Sequence, residues 1–516
     1  MQETRIRRLR ARVANACDIC KLRKIKCCGS TPCQYCVRRQ QPDECRYSAQ
    51  RRRPRHGDLS RVTSFSEGST VVLAPAASTT PSEPTVDMGS VSSCTIVRGG
   101  TGDGDEAEHD ETEVPREARL LRDPNGKLIF VGDCAPLSFF QTVRRLVTSL
   151  VDSHAFAPET SAYSALENAN APSRPPAAPP TPKAPHIDLD VKAVVSAYLE
   201  SSVGLVDIFD NGHLQREILD WSQTWAGINT TDVASAVNYL VLAIGSQESD
   251  ERTAQGFFDH ARDITFASLS GNLGVDTIQA LTLVTLYMLN ARQINGAFLF
   301  FGIAVRAAYS IGIHRTAVNS RFGPEAHRQR DRLWKSLRVV DLFLSTSMGR
   351  PPATSDTDCT IVYRGTEVDG RETFDLLNAA VQIFVITETI VVEVYSRRKI
   401  SPRLTDGISC ELREWSTRWL QPLKDAVAGS QSSDFPGTRN GACRVLSSYY
   451  YAVILVSRPF LMVELRHRLS DGWRADRVSG KAKLADACID AAILMLEPIQ
   501  SLIEGGVMTR CAPVIV

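Results

Sequence analysis

Residues 17–45 read CDICKLRKIKCCGSTPCQYCVRRQQPDEC, with Cys17, Cys20, Cys27, Cys33, Cys36 and Cys45 in the spacing C-x2-C-x6-C-x5-C-x2-C-x8-C. Each C-x2-C pair brings two thiolates to one side of a short helix start, the geometry a tetrahedral ion needs, and a third cysteine follows each pair. One tetrahedral zinc takes four ligands and two take eight. Six thiolates supply eight bonds only if two of them are shared between the metals. That arithmetic predicts a binuclear thiolate cluster holding two zinc ions. The competing readings are a disulfide framework or a different zinc module. No histidine lies between Cys17 and Cys45, as an eight-ligand site of the RING or LIM kind would want.

The segment resembles the fungal binuclear zinc cluster, Zn(2)-C6, of fungal transcription regulators. The likeness rests on the ACDIC opening, the basic KLRKIK between the second and third ligands, Pro32 before Cys33, and the closing CRY at Cys45–Tyr47. It implies that Cys17 and Cys33 bridge the two metals. It also implies that Cys27 rather than the adjacent Cys28 is the third ligand, since Cys27 keeps six residues after Cys20. By the same resemblance Arg23 and Lys24 reach into the major groove of DNA, at CGG-type triplets. The alternative for these two is contact with phosphate alone.

The charge pattern points the same way. Residues 1–56 hold sixteen Lys and Arg against four Asp and Glu, a formal +12, whereas the whole chain of 516 residues carries only +1. A basic end on a nearly neutral protein is the electrostatic footprint of a nucleic-acid contact. Lys21, Arg23, Lys24 and Lys26 crowd six residues, a density that repels itself unless a phosphate backbone offsets it through counterion release. Arg5, Arg7, Arg8, Arg10 and Arg12, and the RRRPR at 51–55, read as further phosphate contacts and nuclear import signals. Short helices are expected after each C-x2-C, the first capped by Asp18.

Cysteines outside the cluster (Cys94, Cys134, Cys359, Cys410, Cys443, Cys488, Cys511) are scattered, as reduced thiols of an intracellular protein would be. The N-terminus has charge but no apolar signal core. The longest apolar candidate, GAFLFFGIAV, stops at Arg306, short of a membrane span, so no membrane partner is expected.

Residues 57–118 are rich in Ser, Thr and Gly, turn acidic at 99–113, and read as a disordered linker with no phosphate-loop or calcium-loop order. No a/d apolar seam follows the cluster at 46–69, which leaves dimerisation through a coiled coil without support. The segment 119–155 reads as a DPNG turn, a short strand and an amphipathic helix. Pro and Ala dominate 156–186, a second linker.

From 187 to 516 the pattern is helical. Leu333, Leu337, Val340 and Leu344 form one stripe, with Arg330, Arg332 and Arg338 placed off that face. Leu484, Cys488, Ala491, Met495 and Leu502 form another. AAVQIFVITETIVVEVY, at 379–395, could be a strand pair, but seventeen residues without a turn favour a buried helix. Gly302, Ala304, Ala307 and Ala308 suggest close helix packing, and Gly349-Arg350-Pro351-Pro352 a sharp helix end. The blocks at 302–315 and 331–358 resemble the central regulatory region of fungal zinc-cluster factors.

No catalytic constellation emerges, so no enzyme is expected. His314 reads as a packed or capping residue at a helix end, and Asp341 as a partner of Arg338 or Arg350. The fold expected is a small binuclear zinc-cluster module at the N-terminus (1–56) plus a large all-α regulatory domain (187–516), joined by disordered linkers. The function expected is a nuclear, zinc-dependent, sequence-specific regulator of RNA polymerase II genes. Its partners would be GC-rich duplex DNA and the transcription machinery or co-regulators. A cytoplasmic zinc-thiolate interaction protein, its helical domain a binding platform or an unrecognised enzyme, is the alternative. The apolar end CAPVIV suggests a chain shorter than its relatives.

Overall fold

The computed structural model describes residues 17–22, 27–28, 30–39, 45–46, 111–122, 128–156, 187, 189–224, 232–271, 273–365, 367–368, 371–429, 437–470 and 480–508. The chain forms two compact units, Met1–Val71 and Val72–Val516. In the first unit helix α1 spans Asp18–Leu22 and α2 spans Gln34–Arg38. Both begin inside a C-x2-C pair rather than after it. Asp18 therefore sits in the first turn of α1, where its amide donates to the Arg46 carbonyl at 2.9 Å. The cap of α2 is a cysteine: Cys33 Sγ accepts from the Cys36 amide at 3.4 Å.

The second unit opens with β1 (Thr112–Glu113), the antiparallel hairpin β2 (Arg119–Arg122) and β3 (Leu128–Val131), and α3 (Pro136–Leu150). A run of helices follows: α4 Val191–Ser202, α5 Asn211–Thr224, α6 Val233–Ser246, α7 Glu251–Ser268, α8 Val275–Asn290, α9 Ile294–Ser310, α10 Thr316–Asn319 and α11 Pro324–Met348. Next come the two-residue strands β4 (Glu367–Val368) and β5 (Arg371–Glu372), then α12 (Leu376–Ile390), a π-helical turn over Val391–Ser396 and β6 (Lys399–Ile400). Helices α13 (Pro402–Ala428), α14 (Thr438–Ser470) and α15 (Gly480–Glu504) complete the described part. The 379–395 segment is thus helical throughout, passing from α to π winding at Val391.

One continuous core joins these helices. Helices α6 and α8 are apolar on nearly every side and buried accordingly. The α11 stripe of Leu333, Leu337, Val340 and Leu344 is buried as its spacing requires. Arg330 and Arg338, expected off that face, are buried as well. Arg338 is fully enclosed because Asp356 and Glu388 meet its guanidinium at 2.9 and 2.6 Å, and Thr354 accepts from it at 2.8 Å. Ala304, Ala307 and Ala308 pack inside, but a side chain at Gly302 would meet open space.

Two segments pass the length and composition of a membrane span, which the sequence reading did not find. They are Leu376–Ser396 (mean hydropathy 1.6) and Thr438–Leu469 (1.3). Of those windows 56% and 78% are buried in the fold, so the apolarity serves the core.

Residues 111–118, assigned from sequence to the first linker, carry part of this unit. Strand β1 pairs antiparallel with β6, and the Val114 amide donates to the Arg398 carbonyl at 3.0 Å. Glu117 is buried against Arg458 of α14, 3.4 Å away. Arg458 also donates to the carbonyls of Asp133 and Cys134 and lies over the rings of Phe139 and Tyr395. The rest of 57–118, and of 156–186 beyond Phe156, lies outside the described residues.

Proline supplies one further tie. Pro459, inside α14, has no amide to give the Leu455 carbonyl one turn back. Tyr395 of the π turn fills the vacancy, donating its hydroxyl to that carbonyl at 2.9 Å.

Candidate metal centre

Four sulfurs converge in the first unit. Those of Cys17, Cys20, Cys33 and Cys36 all lie within 4.8 Å of one another, and none of the four side chains is more than 1% exposed. The individual separations are 3.7 Å for Cys17–Cys33, 3.9 Å for Cys17–Cys36 and 3.7 Å for Cys20–Cys33. Zinc–sulfur bonds of about 2.3 Å in a tetrahedron put neighbouring sulfurs about 3.8 Å apart, so the donor set fits zinc. Four thiols packed this tightly and enclosed from water call for a cation to hold their charge once they ionise.

Cys17 and Cys33 each lie against two sulfurs of the group, Cys17 against Cys33 and Cys36 and Cys33 against Cys17 and Cys20, and the Cys33 amide donates to Cys45 Sγ at 3.1 Å. Burial and the neighbouring thiols push Cys20 and Cys36 well above the usual thiol range. Cys33 is buried too, but the hydrogen bond from the Cys36 amide and the surrounding thiols outweigh desolvation and bring it to about 6.

Cys45 is also buried, and Cys27 is half-buried and packs on the group. Cys28 behaves differently. It is exposed, lies 3.1 Å from Ser30 Oγ, and accepts from the Gln34 amide at 3.1 Å. These hydrogen bonds lower its pKa. Pro32, joined through a cis peptide, carries the chain from this exposed turn into Cys33. Lys21 lies in α1, and nothing is described of its side chain; Arg23, Lys24 and Lys26 lie outside the described residues, as does the stretch searched for a coiled coil.

The polar residues weighed in the helical unit have structural surroundings. His314 is buried between Tyr309 and Trp334, ring centroids 4.9 and 5.6 Å away, with Asp358 at 3.6 Å. Burial lowers its pKa, so the aromatic packing rather than a charge at the helix end accounts for it. Asp341 forms no ion pair with Arg350, and Arg338 turns instead to Asp356 and Glu388. Its carboxylate accepts from the amides of Ala353 and Thr354 and from the Thr354 hydroxyl, closing the loop after α11. Arg350 donates to the Phe130 carbonyl and to Asn295 and covers the Phe298 ring.

Comparison with known proteins matches both units. The fungal Zn(2)-Cys(6) binuclear cluster domain matches residues 15–54, and the fungal specific transcription factor domain matches residues 196–368. An uncharacterized transcriptional regulatory protein of Schizosaccharomyces pombe is 22% identical over 95% of this chain and 70% of its own length. A second such protein from that yeast is 22% identical over 93% of this chain and 66% of its own. Filamentous growth regulator 27 of Candida albicans is 24% identical over 74% of this chain and 50% of its own. The chain thus spans between half and about two thirds of these relatives. No solved structure matches it.

Proposed function

We propose that this chain, a transcription regulator of the fungal Zn(2)-C6 type, holds two zinc ions in its N-terminal unit and uses them to aim a basic segment at duplex DNA in the nucleus. The observation that carries the reading is the set of four enclosed sulfurs at zinc-tetrahedron spacing, inside a segment of formal charge +12. Cys17, Cys20, Cys27, Cys33, Cys36 and Cys45 are the proposed ligands, with Cys17 and Cys33 shared. Bound zinc supplies cross-linking and charge neutralisation, and no chemistry on a substrate.

Lys21, Arg23, Lys24 and Lys26 follow the first C-x2-C, so folding of the cluster fixes where their chain leaves it. Arg23 and Lys24 are the proposed readers of guanine O6 and N7 in CGG-type triplets, the donors such an edge accepts. Lys21, Lys26 and the flanking arginines bind phosphate and make affinity fall with salt. The helical unit would then control transcription of RNA polymerase II genes through the transcription machinery or co-regulators. Names such as filamentous growth regulator support a regulatory role.

The test is a gel shift of the zinc-loaded full chain on CGG-containing and scrambled duplexes, with and without a chelator. Binding should require zinc, Cys20→Ser should abolish it, and Arg23→Ala should cost roughly tenfold on the CGG duplex while leaving the scrambled one nearly unchanged. Chelator-insensitive binding, or zinc-loaded protein that ignores both duplexes at modest salt, overturns the proposal.

A further inference from the structure

Helix α15 has two apolar faces, and the fold uses one. Cys488, Ala491, Met495 and Leu502 are buried on the inner side, where α15 packs along α14. On the outer side Ile489, Ile493, Leu496 and Ile503 are 48%, 57%, 58% and 61% exposed. Their spacing of four, three and seven residues is the a/d repeat of a helix that pairs with another helix, with Gln500 at the remaining seam position. Scattered exposed leucines need no explanation, but four large apolar side chains in one seam on one helix do.

Charge identifies the kind of helix that fits. Asp490, Glu497 and Glu504 fall along one edge of the seam and Asp486 takes the seam position before Ile489, whereas the cations of α15 are confined to Lys481 and Lys483 at its start. None of these four carboxylates has an ion pair among the described residues. A second copy of the chain offers a poor match. Antiparallel pairing with Ile493 opposite Leu496 sets Asp490 beside Glu497 of the second copy and brings Lys483, ahead of the apolar seam, beside Glu504; parallel pairing sets the acidic edge beside Ala492 and Ile499. Neither supplies a cation along the apolar seam itself, from Ile489 to Ile503. We propose that the outer face of α15 docks an amphipathic helix of another protein, one presenting Leu or Ile at a/d spacing with Lys or Arg beside the seam. This assignment stands independently of the DNA-binding reading, since it rests on the helical unit alone.

The experiment uses the zinc-loaded full chain and two fluorescent peptides of three heptads. Both carry leucine at a and d, and the flanking positions are lysine in one and glutamate in the other. Anisotropy should show the lysine peptide binding at least tenfold more tightly than the glutamate peptide, with a preference that shrinks as salt rises. Ile493→Asp should weaken the lysine peptide at least tenfold. The triple change Asp490→Lys, Glu497→Lys, Glu504→Lys, on side chains the core does not use, should reverse the preference. Equal binding of the two peptides, binding of neither, or an unmoved preference in the reversed variant overturns the proposal. So does a concentration-dependent dimer that Ile493→Asp dissolves and the lysine peptide does not compete away, which assigns the face to a second copy.

Discussion

Gly132 and Gly349 meet backbone to backbone. The Gly132 amide donates to the Met348 carbonyl at 2.8 Å, and a Cβ on Gly132 would stand 1.9 Å from the Gly349 carbonyl oxygen. Gly349 ends α11 in the left-handed region, at φ 64°, so the helix stop and the hairpin contact share one residue. Gly132→Ala must therefore push the hairpin off α11. A loss of about 2–4 kcal/mol is expected, in the range of other overpacking and strain effects. Tryptophan fluorescence in urea measures it, because all six tryptophans lie at Trp221 or beyond. An unchanged midpoint would refute the close approach.

Arg338 is enclosed between Glu388 and Asp356. Arg338→Met leaves two carboxylates without their cation and should cost about 3–5 kcal/mol, whereas Glu388→Gln leaves Asp356 on the guanidinium and should cost less. The double change should cost clearly less than the sum, and a double-mutant cycle reads that coupling. Strict additivity would mean the two side chains do not meet.

Tyr395→Phe removes the hydroxyl that serves the carbonyl Pro459 leaves open at Leu455. About 1–3 kcal/mol should be lost, the cost of an unsatisfied buried acceptor, with the ring still in place. Tyr395→Phe combined with Pro459→Ala should recover part of it, since the alanine amide can then donate to Leu455. No recovery would place the loss elsewhere.

Among the seven clustered cysteines, zinc content separates ligands from bystander. Cys20→Ser and Cys27→Ser should each lower bound zinc and disrupt the unit, whereas Cys28→Ser should keep two ions per chain, measured by elemental analysis of dialysed protein. Zinc loss in Cys28→Ser together with full zinc in Cys27→Ser would exchange the two assignments.

Burial lowers the pKa of His260 and His314. A histidine whose folded pKa lies below its unfolded value, about 6.5, binds fewer protons folded than unfolded. Well above about pH 6.5 neither state is protonated and the two histidines contribute nothing to the pH dependence. As pH falls through that value the unfolded chain is favoured. The urea midpoint seen by tryptophan should thus drop between pH 7.5 and 5.5. Replacing both histidines with glutamine should flatten this dependence. Glu117, raised by burial, acts with the opposite sign and at lower pH. A midpoint that rises on acidification over this range counts against the histidine assignment.

Local regularities in the sequence anticipated the local structure. The cysteine spacing placed the four converging sulfurs, the three-four periodicity placed Leu333, Leu337, Val340 and Leu344 inside, and Gly349 before two prolines marked the end of α11. Contacts distant in sequence escaped, because periodicity carries no address for a partner. Proximity in sequence pairs Arg338 with the nearby Asp341, whereas its actual partner Glu388 lies 50 residues on. Glu113 and Lys399 look like unrelated charges in a linker and a turn until β1 and β6 pair. The choice of Cys27 over Cys28 comes from the family resemblance, and the exposed turn that ties Cys28 to Ser30 and Gln34 is not legible in the spacing.

The Glu117–Arg458 contact sets where the helical unit can be cut. A fragment started at Ile187, where helical periodicity begins, would discard β1, the hairpin and Glu117, and strand the Arg458 guanidinium inside α14 with no carboxylate and two lost carbonyls. Such a fragment would be expected to precipitate, and one beginning ahead of Glu111 to stay in solution. The proper first residue for expressing this unit is thus decided by an arginine near the far end of the chain.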